Sequence, residues 1–213
     1  MKDGTYMPAT IYYIRHGESA ANAGARTSDE HSIALTEKGW EQARGARDQL
    51  LGKVSRIVAS PYRRAQETAA PLSDASRLEI HTWPIEEFLY LDPEQCANTT
   101  QDERGEVRQH YWGLLDPEWR HSPRTESFSD LLRRVESCRR EMETLPDGAA
   151  LFGHGLFGMA LLVSLHFPAE DHRQWMERLH RLVYREGRNL RNGQILAFLR
   201  EEGQWTTLPP IPG

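Results

Sequence analysis

Apolar positions follow two different periods along the chain. Residues 10–14 (Thr-Ile-Tyr-Tyr-Ile), 56–59, 78–82, 149–153 and 194–199 are short runs bounded by polar or turn residues, the pattern of strands. Residues 205–208 are a candidate to pair with the last of them. Elsewhere the period is helical. Thr36 reads as the N-cap of a helix through Leu51, with Glu37 in its first turn and Trp40, Ala43, Ala46 and Leu50 on one face. Ser60-Pro61 predicts another helix start, serine as N-cap and proline at the first helical position. Phe128, Leu131, Leu132, Val135, Cys138, Met142 and Leu145 keep helical spacing over 125–145, and Pro146-Asp147-Gly148 ends that helix. Two more helices are expected, from about Leu156 and over 168–183.

Strands alternating with helices imply an α/β fold, a three-layer α/β/α sandwich around a mainly parallel central sheet. The length, 213 residues, suits a single domain spanning 1–213. Segment 88–124 has no clean period and contains Pro93, Gly105, Gly113, Pro117 and Pro123. An aperiodic stretch of that length inside a domain is expected to be functional, here a specificity segment. Residues 209–213 read as a tail.

Charge and composition narrow the classes. The formal net charge is -5, from 26 basic and 31 acidic residues, which disfavours a nucleic-acid partner. Cys96 and Cys138 are the two cysteines, too few for a disulfide framework and without a CxxC pair. The first eight residues lack the apolar core of a secretory signal. The most apolar stretch, 151–167, holds His154, three glycines and His166 and falls short of the ~20 residues that span a bilayer. A soluble, cytoplasmic protein with no membrane partner is expected.

Three polar clusters stand at strand ends: Arg15-His16-Gly17, residues 60–64, and Gly153-His154-Gly155. In α/β folds that is where ligands bind. Histidine is a nitrogen nucleophile that is substantially neutral near pH 7, arginine is a fork matched to phosphate oxygens, and helix N-termini offer N–H donors. Two helices are expected to start at such positions, after Ser60 and after Gly155. A small cationic site holding a nucleophile suits a phosphate dianion.

These blocks resemble those of the histidine phosphatase (phosphoglycerate mutase-like) superfamily. Arg15-His16-Gly17-Glu18, with Asn22 beyond it, resembles the R-H-G block. Leu35-Thr36-Glu37-Lys38-Gly39 resembles L-T-x-x-G, Ser60-Pro61-Tyr62-Arg63-Arg64-Ala65 with Thr68-Ala69 resembles S-P-x-x-R-A-x-x-T-A, and Gly153-His154-Gly155 resembles the third block. The resemblance implies a phosphatase working through a covalent phosphohistidine on His16, with no metal and no cofactor. Arg15, Asn22, Arg64 and His154 would hold the phosphate, and Arg64 rather than its neighbour Arg63 would face the strand ends. Glu87, in Ile85-Glu86-Glu87-Phe88, would be the general acid, with Glu86 the neighbour most easily confused with it. The substrate would be a small phosphorylated metabolite.

Other readings compete. A mutase of this family would carry a segment resembling Y-G-x-L-x-G-x-N-K after the acid, where this chain has Phe88-Leu89-Tyr90-Leu91-Asp92-Pro93. Glu126-Ser127-Phe128 instead resembles an E-S block of phosphatase members. A non-catalytic module binding a phospho-ligand is the remaining alternative. Arg104, Arg108, Arg120 and Arg124 are candidates to reach a second anionic group, and His31 to touch substrate. Arg133-Arg134 and Arg139-Arg140 read as the solvated face of their helix. His81, His110, His121, His166, His172 and His180 lie in no motif. No H-E-x-x-H or similar ligand spacing favours a metal.

Overall fold

The computed structural model of the chain describes residues 8–166 and 171–208. Its strands are β1 (Ala9–Arg15), β2 (Arg56–Ala59), β3 (Ile80–Thr82), β4 (Ala149–Gly153), β5 (Ile195–Glu201) and β6 (Gln204–Leu208). They form one sheet in the order β3-β2-β4-β1-β5-β6. The pairs β3-β2, β2-β4 and β4-β1 are parallel, and β5 and β6 add an antiparallel edge. The helices are α1 (Glu37–Leu50), α2 (Arg63–Ser76), α3 (Gly105–Leu114), α4 (Phe128–Met142), α5 (Gly155–His166) and α6 (His172–His180).

Alternation along each strand sorts the core onto two faces. Ile14, Ile57, Ala59, Ala150, Phe152 and Ile195 pack with Ala46 and Leu50 of α1 and Ala69 and Leu72 of α2. Ile11, Tyr13, Val58, Leu151 and Phe198 face the opposite way, toward α4, α5 and α6. β4 lies between β2 and β1 with helices over both faces, so all five of its residues are buried and it reads as an unbroken apolar run. The result is the expected three-layer sandwich.

Several local readings are corrected. α2 starts at Arg63, not Pro61, because Tyr62 stays extended (φ -69, ψ 134) at the boundary and supplies no side-chain cap. The Ser60 hydroxyl is engaged elsewhere, on His154. Segment 88–124 contains α3, which periodicity missed. Only Tyr111 and Trp112 of its ten residues are buried, and two adjacent positions make no helical stripe. Arg134 is not solvated. It donates to both Glu126 oxygens, at 2.6 and 2.7 Å, and to the Pro84 and Glu86 carbonyls. α6 is capped by Asp171 and continues into a π-helical turn at Arg181–Arg185. The expected helix start at Pro168 and the tail at 209–213 lie outside the described residues.

One close approach sets the position of the loop after β1. The Thr36 side chain caps α1 by accepting from Gly39 N at 3.1 Å, while Thr36 N donates to Glu18 O at 2.9 Å. This lays α1 directly on residues 17–18. A Cβ on Gly39 would fall 2.1 Å from Glu18 O, and one on Gly17 would fall 2.4 Å from Gly39 O. Two glycines face each other because neither backbone leaves room for a side chain. Gly39→Ala should therefore cost about 1–3 kcal/mol by forced displacement. Gly45→Ala, in the same helix with open space around it, should instead stabilise by about 0.5–1 kcal/mol. Urea unfolding of the two variants checks this, and equal effects would mean the loop yields to α1.

Candidate active site

Parallel pairing brings the three strand-end clusters together. Arg15 is registered with Gly153, and Ala59 with Phe152, so His16, Ser60 and His154 leave the sheet side by side. His16 is 3% exposed and His154 fully buried, with ring centroids 5.2 Å apart.

The protonation of His16 follows from its neighbours. Nδ1 lies 2.7 Å from the Gly17 carbonyl, which only accepts, so Nδ1 carries the proton and Nε2 the lone pair. The Nε–H of Arg64 donates to that lone pair at 3.2 Å. Burial, then Arg64 and Arg15, hold the His16 pKa well below 6.5, against the smaller upward pull of the Gly17 carbonyl. The ring is a neutral nitrogen base aimed at a guanidinium.

His154 sits behind His16. Its Nε2 is 2.8 Å from Ser60 Oγ, and its buried Nδ1 has no partner. Burial first, then Arg64 and His16, depress its pKa well below 6.5. Its backbone is clamped by Tyr13, whose hydroxyl donates to His154 O and accepts from His154 N, both at 2.8 Å. Gly153 and Gly158 make room for that fully buried ring, since a Cβ on either would meet Tyr13 atoms at 2.3 and 2.4 Å. No sequence motif pointed to Tyr13; its only signal is a polar ring inside an apolar strand.

Positive charge comes from arginine. Arg64 is 4% exposed, donates to the Glu30 carbonyl at 2.6 Å, and lies 4.8 Å from the Tyr62 ring centre. Arg63 is exposed and pairs with Glu67 at 2.7 Å, as expected for neighbours about 100° apart on a helix. Arg15 donates to Leu190 O and keeps a buried, unpartnered Nε. Desolvation lowers the pKa of both guanidiniums, and buried cations in an open cavity favour an anionic ligand.

The two adjacent glutamates have different surroundings. Glu86 is drawn to Arg134 at 3.6 Å. Glu87 lines the cavity, and its carboxylate accepts from the N–H groups of Gly155 (3.0 Å), Leu156 (3.1 Å) and Phe157 (3.2 Å). The N-terminus of α5, expected to face phosphate, is thus already capped by Glu87. At α2, Arg63 N donates to His31 O at 2.9 Å. Glu87 thus closes the start of α5 and His31 the first N–H of α2, and the guanidiniums of Arg15 and Arg64 bring positive charge to the cavity.

The cavity, about 200 Å³, is lined by Arg15, His16, Asn22, Arg64 and Glu87, with Phe88, Tyr90 and Tyr184 among its outer walls. Asn22 Oδ1 accepts from Ser19 N and Ser19 Oγ at 3.3 and 3.0 Å, leaving its Nδ2 end to the cavity. His154 does not line the cavity, nor does His31, whose ring leans on Tyr62 at 4.5 Å. Of the four arginines in the aperiodic segment, Arg104 is consumed by Thr27, Cys96, Thr99 and Glu30. Arg120 is held by Thr125 O and Asp130, and Arg124 by Glu94. Arg108 lines the cavity and donates to one carbonyl, Gln101 O, at 3.0 Å. Among the described residues, no three His, Cys, Asp or Glu side chains are grouped to hold a metal ion, and no helix is long and apolar enough to cross a membrane.

The family model described as histidine phosphatase superfamily (branch 1) matches residues 11–190. A probable phosphoglycerate mutase, GpmB, of Enterobacter sp. (strain 638) is 30% identical over 197 residues, covering 87% of this chain and 90% of that protein. A putative alpha-ribazole-5'-P phosphatase from Escherichia coli superposes with a TM-score of 0.71 at 21% identity, covering 94% of each chain. A mycobacterial glucosyl-3-phosphoglycerate phosphatase in complex with VO3 superposes with a TM-score of 0.70 at 20% identity, covering 93% of this chain and 96% of that one.

The depressed pKa values of His16 and His154 link folding to pH. Below 6.5 the unfolded chain binds protons that the folded site refuses. Stability from these groups is complete above that value, falls as pH drops through the interval beneath it, and levels off past the folded pKa values. Each histidine contributes a slope of at most about 1.4 kcal/mol per pH unit. Urea unfolding of wild type and of the double variant His16→Asn, His154→Asn, between about pH 7 and about pH 5, isolates this component. The wild type should lose more stability on acidification than the variant; identical slopes would mean the rings are protonated in the fold.

Proposed function

The chain belongs to branch 1 of the histidine phosphatase superfamily, and from that premise we propose that it is a phosphatase, hydrolysing a phosphate monoester through a phosphohistidine on His16. The observation that carries this reading is a neutral, Nδ1-protonated imidazole whose Nε2 faces the buried Arg64, with the half-buried Arg15 close by. In the proposed cycle, a phosphate monoester enters the cavity and its oxygens take over the donors of Arg15, Arg64 and Asn22. Arg64 then releases the Nε2 lone pair. Nε2 attacks phosphorus, the ester P–O bond breaks, and the alkoxide takes a proton from Glu87, whose carboxylate, held at rest by three N–H groups, first takes that proton up from the entering monoester. In the second half water attacks phosphorus and gives a proton to the Glu87 carboxylate, the P–N bond breaks, and inorganic phosphate leaves a neutral His16. His154 supports this from beneath, bracing His16 through ring contact. Glu87 rather than Glu86 suits the acid role, because Arg134 holds Glu86 aside.

Guanidiniums supply the charge that a cation would otherwise bring, which makes the proposed reaction metal-independent. The small cavity favours a compact phosphorylated metabolite, and the negative net charge disfavours nucleic acid. Cys96 and Cys138 are both free and buried, in keeping with the reducing cytoplasm. Segment 88–124 supplies specificity in this reading, through Arg108 as the guanidinium left to meet a second anion on the substrate. A mutase remains the second reading, because curated relatives at 30% identity are named probable phosphoglycerate mutases. Against it stands Phe88-Leu89-Tyr90-Leu91-Asp92-Pro93 in place of the mutase segment.

Rapid acid-free quenching with a radiolabelled phosphate monoester tests the intermediate. Wild type should form an acid-labile, base-stable adduct with or without EDTA and release label to water. His16→Ala should form none and be inactive. An active His16→Ala protein removes the mechanism, and label passed to a second substrate alcohol instead of water establishes the mutase.

A substrate panel tests the acid and the outer wall. Glu87→Gln should slow alkyl phosphate hydrolysis by about 10²–10⁴-fold and spare p-nitrophenyl phosphate, whose leaving group needs no proton. Arg108→Ala should raise KM for phosphate monoesters bearing a carboxylate and leave p-nitrophenyl phosphate unchanged. Equal losses on both leaving groups would reassign Glu87 to phosphate binding, and an unmoved KM would take Arg108 out of recognition.

A further inference from the structure

The segment between the π-helical turn and β5 closes over the back of the loop that carries His16. Leu190 O accepts from Arg15 Nη1. Arg15 N donates to Gln194 O at 3.1 Å, and Gly193 N lies 3.0 Å from Arg15 O and 3.2 Å from His16 O. These contacts join one stretch of main chain to another. Asn192 reaches further. Its Nδ2 is 3.0 Å from His16 O, 3.2 Å from Gly17 O and 3.0 Å from Asn22 Oδ1. An amide nitrogen carries two hydrogens, so three acceptors of the candidate phosphate loop share one small donor.

Two of those acceptors have consequences at the cavity. Gly17 O is the carbonyl that receives His16 Nδ1–H, and the peptide that bears it is held on its other side by Glu18 N donating to Gln42 Oε1 at 2.7 Å. Asn192 and Gln42 together fix the tilt of that peptide, and with it the direction of the imidazole. Asn22 Oδ1, held by Ser19 and Asn192, cannot turn outward, so the amide keeps its donor end toward the cavity it lines. Asn192 lies two residues beyond the span matched by the family model, and no sequence pattern singled it out.

We propose that Asn192 is a positioning residue, which fixes the Gly17 carbonyl that selects the His16 tautomer and holds the Asn22 amide with its N–H toward the phosphate. This rests on the reading of His16 as nucleophile, but its first readout does not. In wild type without ligand, ¹⁵N NMR should show the His16 ring protonated at Nδ1 and bare at Nε2. Asn192→Ala should mix in the Nε2-protonated form and lower kcat on p-nitrophenyl phosphate by about 10- to 100-fold, the loss expected when a reacting group is misaligned. Asn192→Asp keeps the shape but offers oxygen to three oxygens. It should turn the Asn22 amide around, present an acceptor to the phosphate, and raise KM and the inhibition constant of inorganic phosphate more than alanine does.

A side chain that only fills space gives the opposite order, with aspartate near wild type and alanine impaired, and that order overturns the proposal. So does a His16 tautomer that stays unchanged in both variants, or an Nε2-protonated ring in wild type, which is measurable even where a variant fails to fold. If wild type never forms a phosphohistidine yet the tautomer shifts in the variants, the positioning role stands and the nucleophile assignment falls. If the adduct forms and the tautomer is indifferent to Asn192, the reverse holds.

Discussion

Everything at the strand ends depends on keeping one imidazole neutral beside two guanidiniums, one buried and one half-buried. Arg15 and Arg64 both press on His16, and burial disfavours its charged form further. A neutral ring still has two tautomers, and only one leaves Nε2 free toward Arg64. The choice is made by a single backbone carbonyl, Gly17 O, at 2.7 Å. The guanidiniums are themselves expensive, because Arg64 is buried and Arg15 partly withdrawn from water, and neither has a carboxylate held tightly against it. Glu30 approaches Arg64 only to 3.7 Å. The site is therefore short of negative charge in a place shaped to receive it.

That arrangement explains why so much of the nearby structure consists of glycine and backbone contact. Gly17 N donates to Thr68 Oγ1 at 3.0 Å, and Thr68 Oγ1 donates in turn to Arg64 O at 2.6 Å. The loop carrying the imidazole and the helix carrying the guanidinium are thereby set against each other. Gly39 lets α1 press on the same loop from outside, and Tyr13 holds His154 from the core side. The blocks that look like separate motifs in the sequence are the several walls of one rigid loop. Glu126 extends the same logic outward: it grips Arg134 of α4 and accepts from Leu89 N at 3.2 Å, which secures the chain just after Glu87.

How far the sequence was legible follows the range of the interactions involved. Strands and the long helix α4 could be read because burial on one face writes a period into adjacent residues. His16, Arg64 and Glu87 could be read because each belongs to a local block, and the structure brings them to one cavity. The structure added what depends on partners distant in the chain. α3 left no stripe, since its buried residues are two neighbours packed under an aromatic cluster. Arg134 looked solvated until Glu86 and Glu126, eight and more residues away, folded onto it. Ser60 had the look of a helix cap, yet its hydroxyl meets a histidine 94 residues further on. Asn192 is the extreme case, contacting Asn22 across 170 residues with no motif of its own.

The same distinction bears on how such a site can change its substrate. The groups around His16 are tied to one another, so a change in any of them disturbs the tautomer, the loop or the cation placement together. The outer wall is built differently. Arg104 is fixed by Thr27, Cys96 and Thr99 and bridges to Glu30 at 3.2 Å, pinning segment 96–104 to the loop that lies beside Arg64. Arg108, one turn further along α3, inherits that rigid mounting but makes a single carbonyl contact itself. A residue mounted rigidly yet weakly engaged can be exchanged without disturbing the chemistry beneath it, because nothing in the His16 loop leans on it. Under the proposed function, substrate choice would be free to change along α3 while the reaction stays the same, and the division would fall between residues that hold one another and residues that are only held.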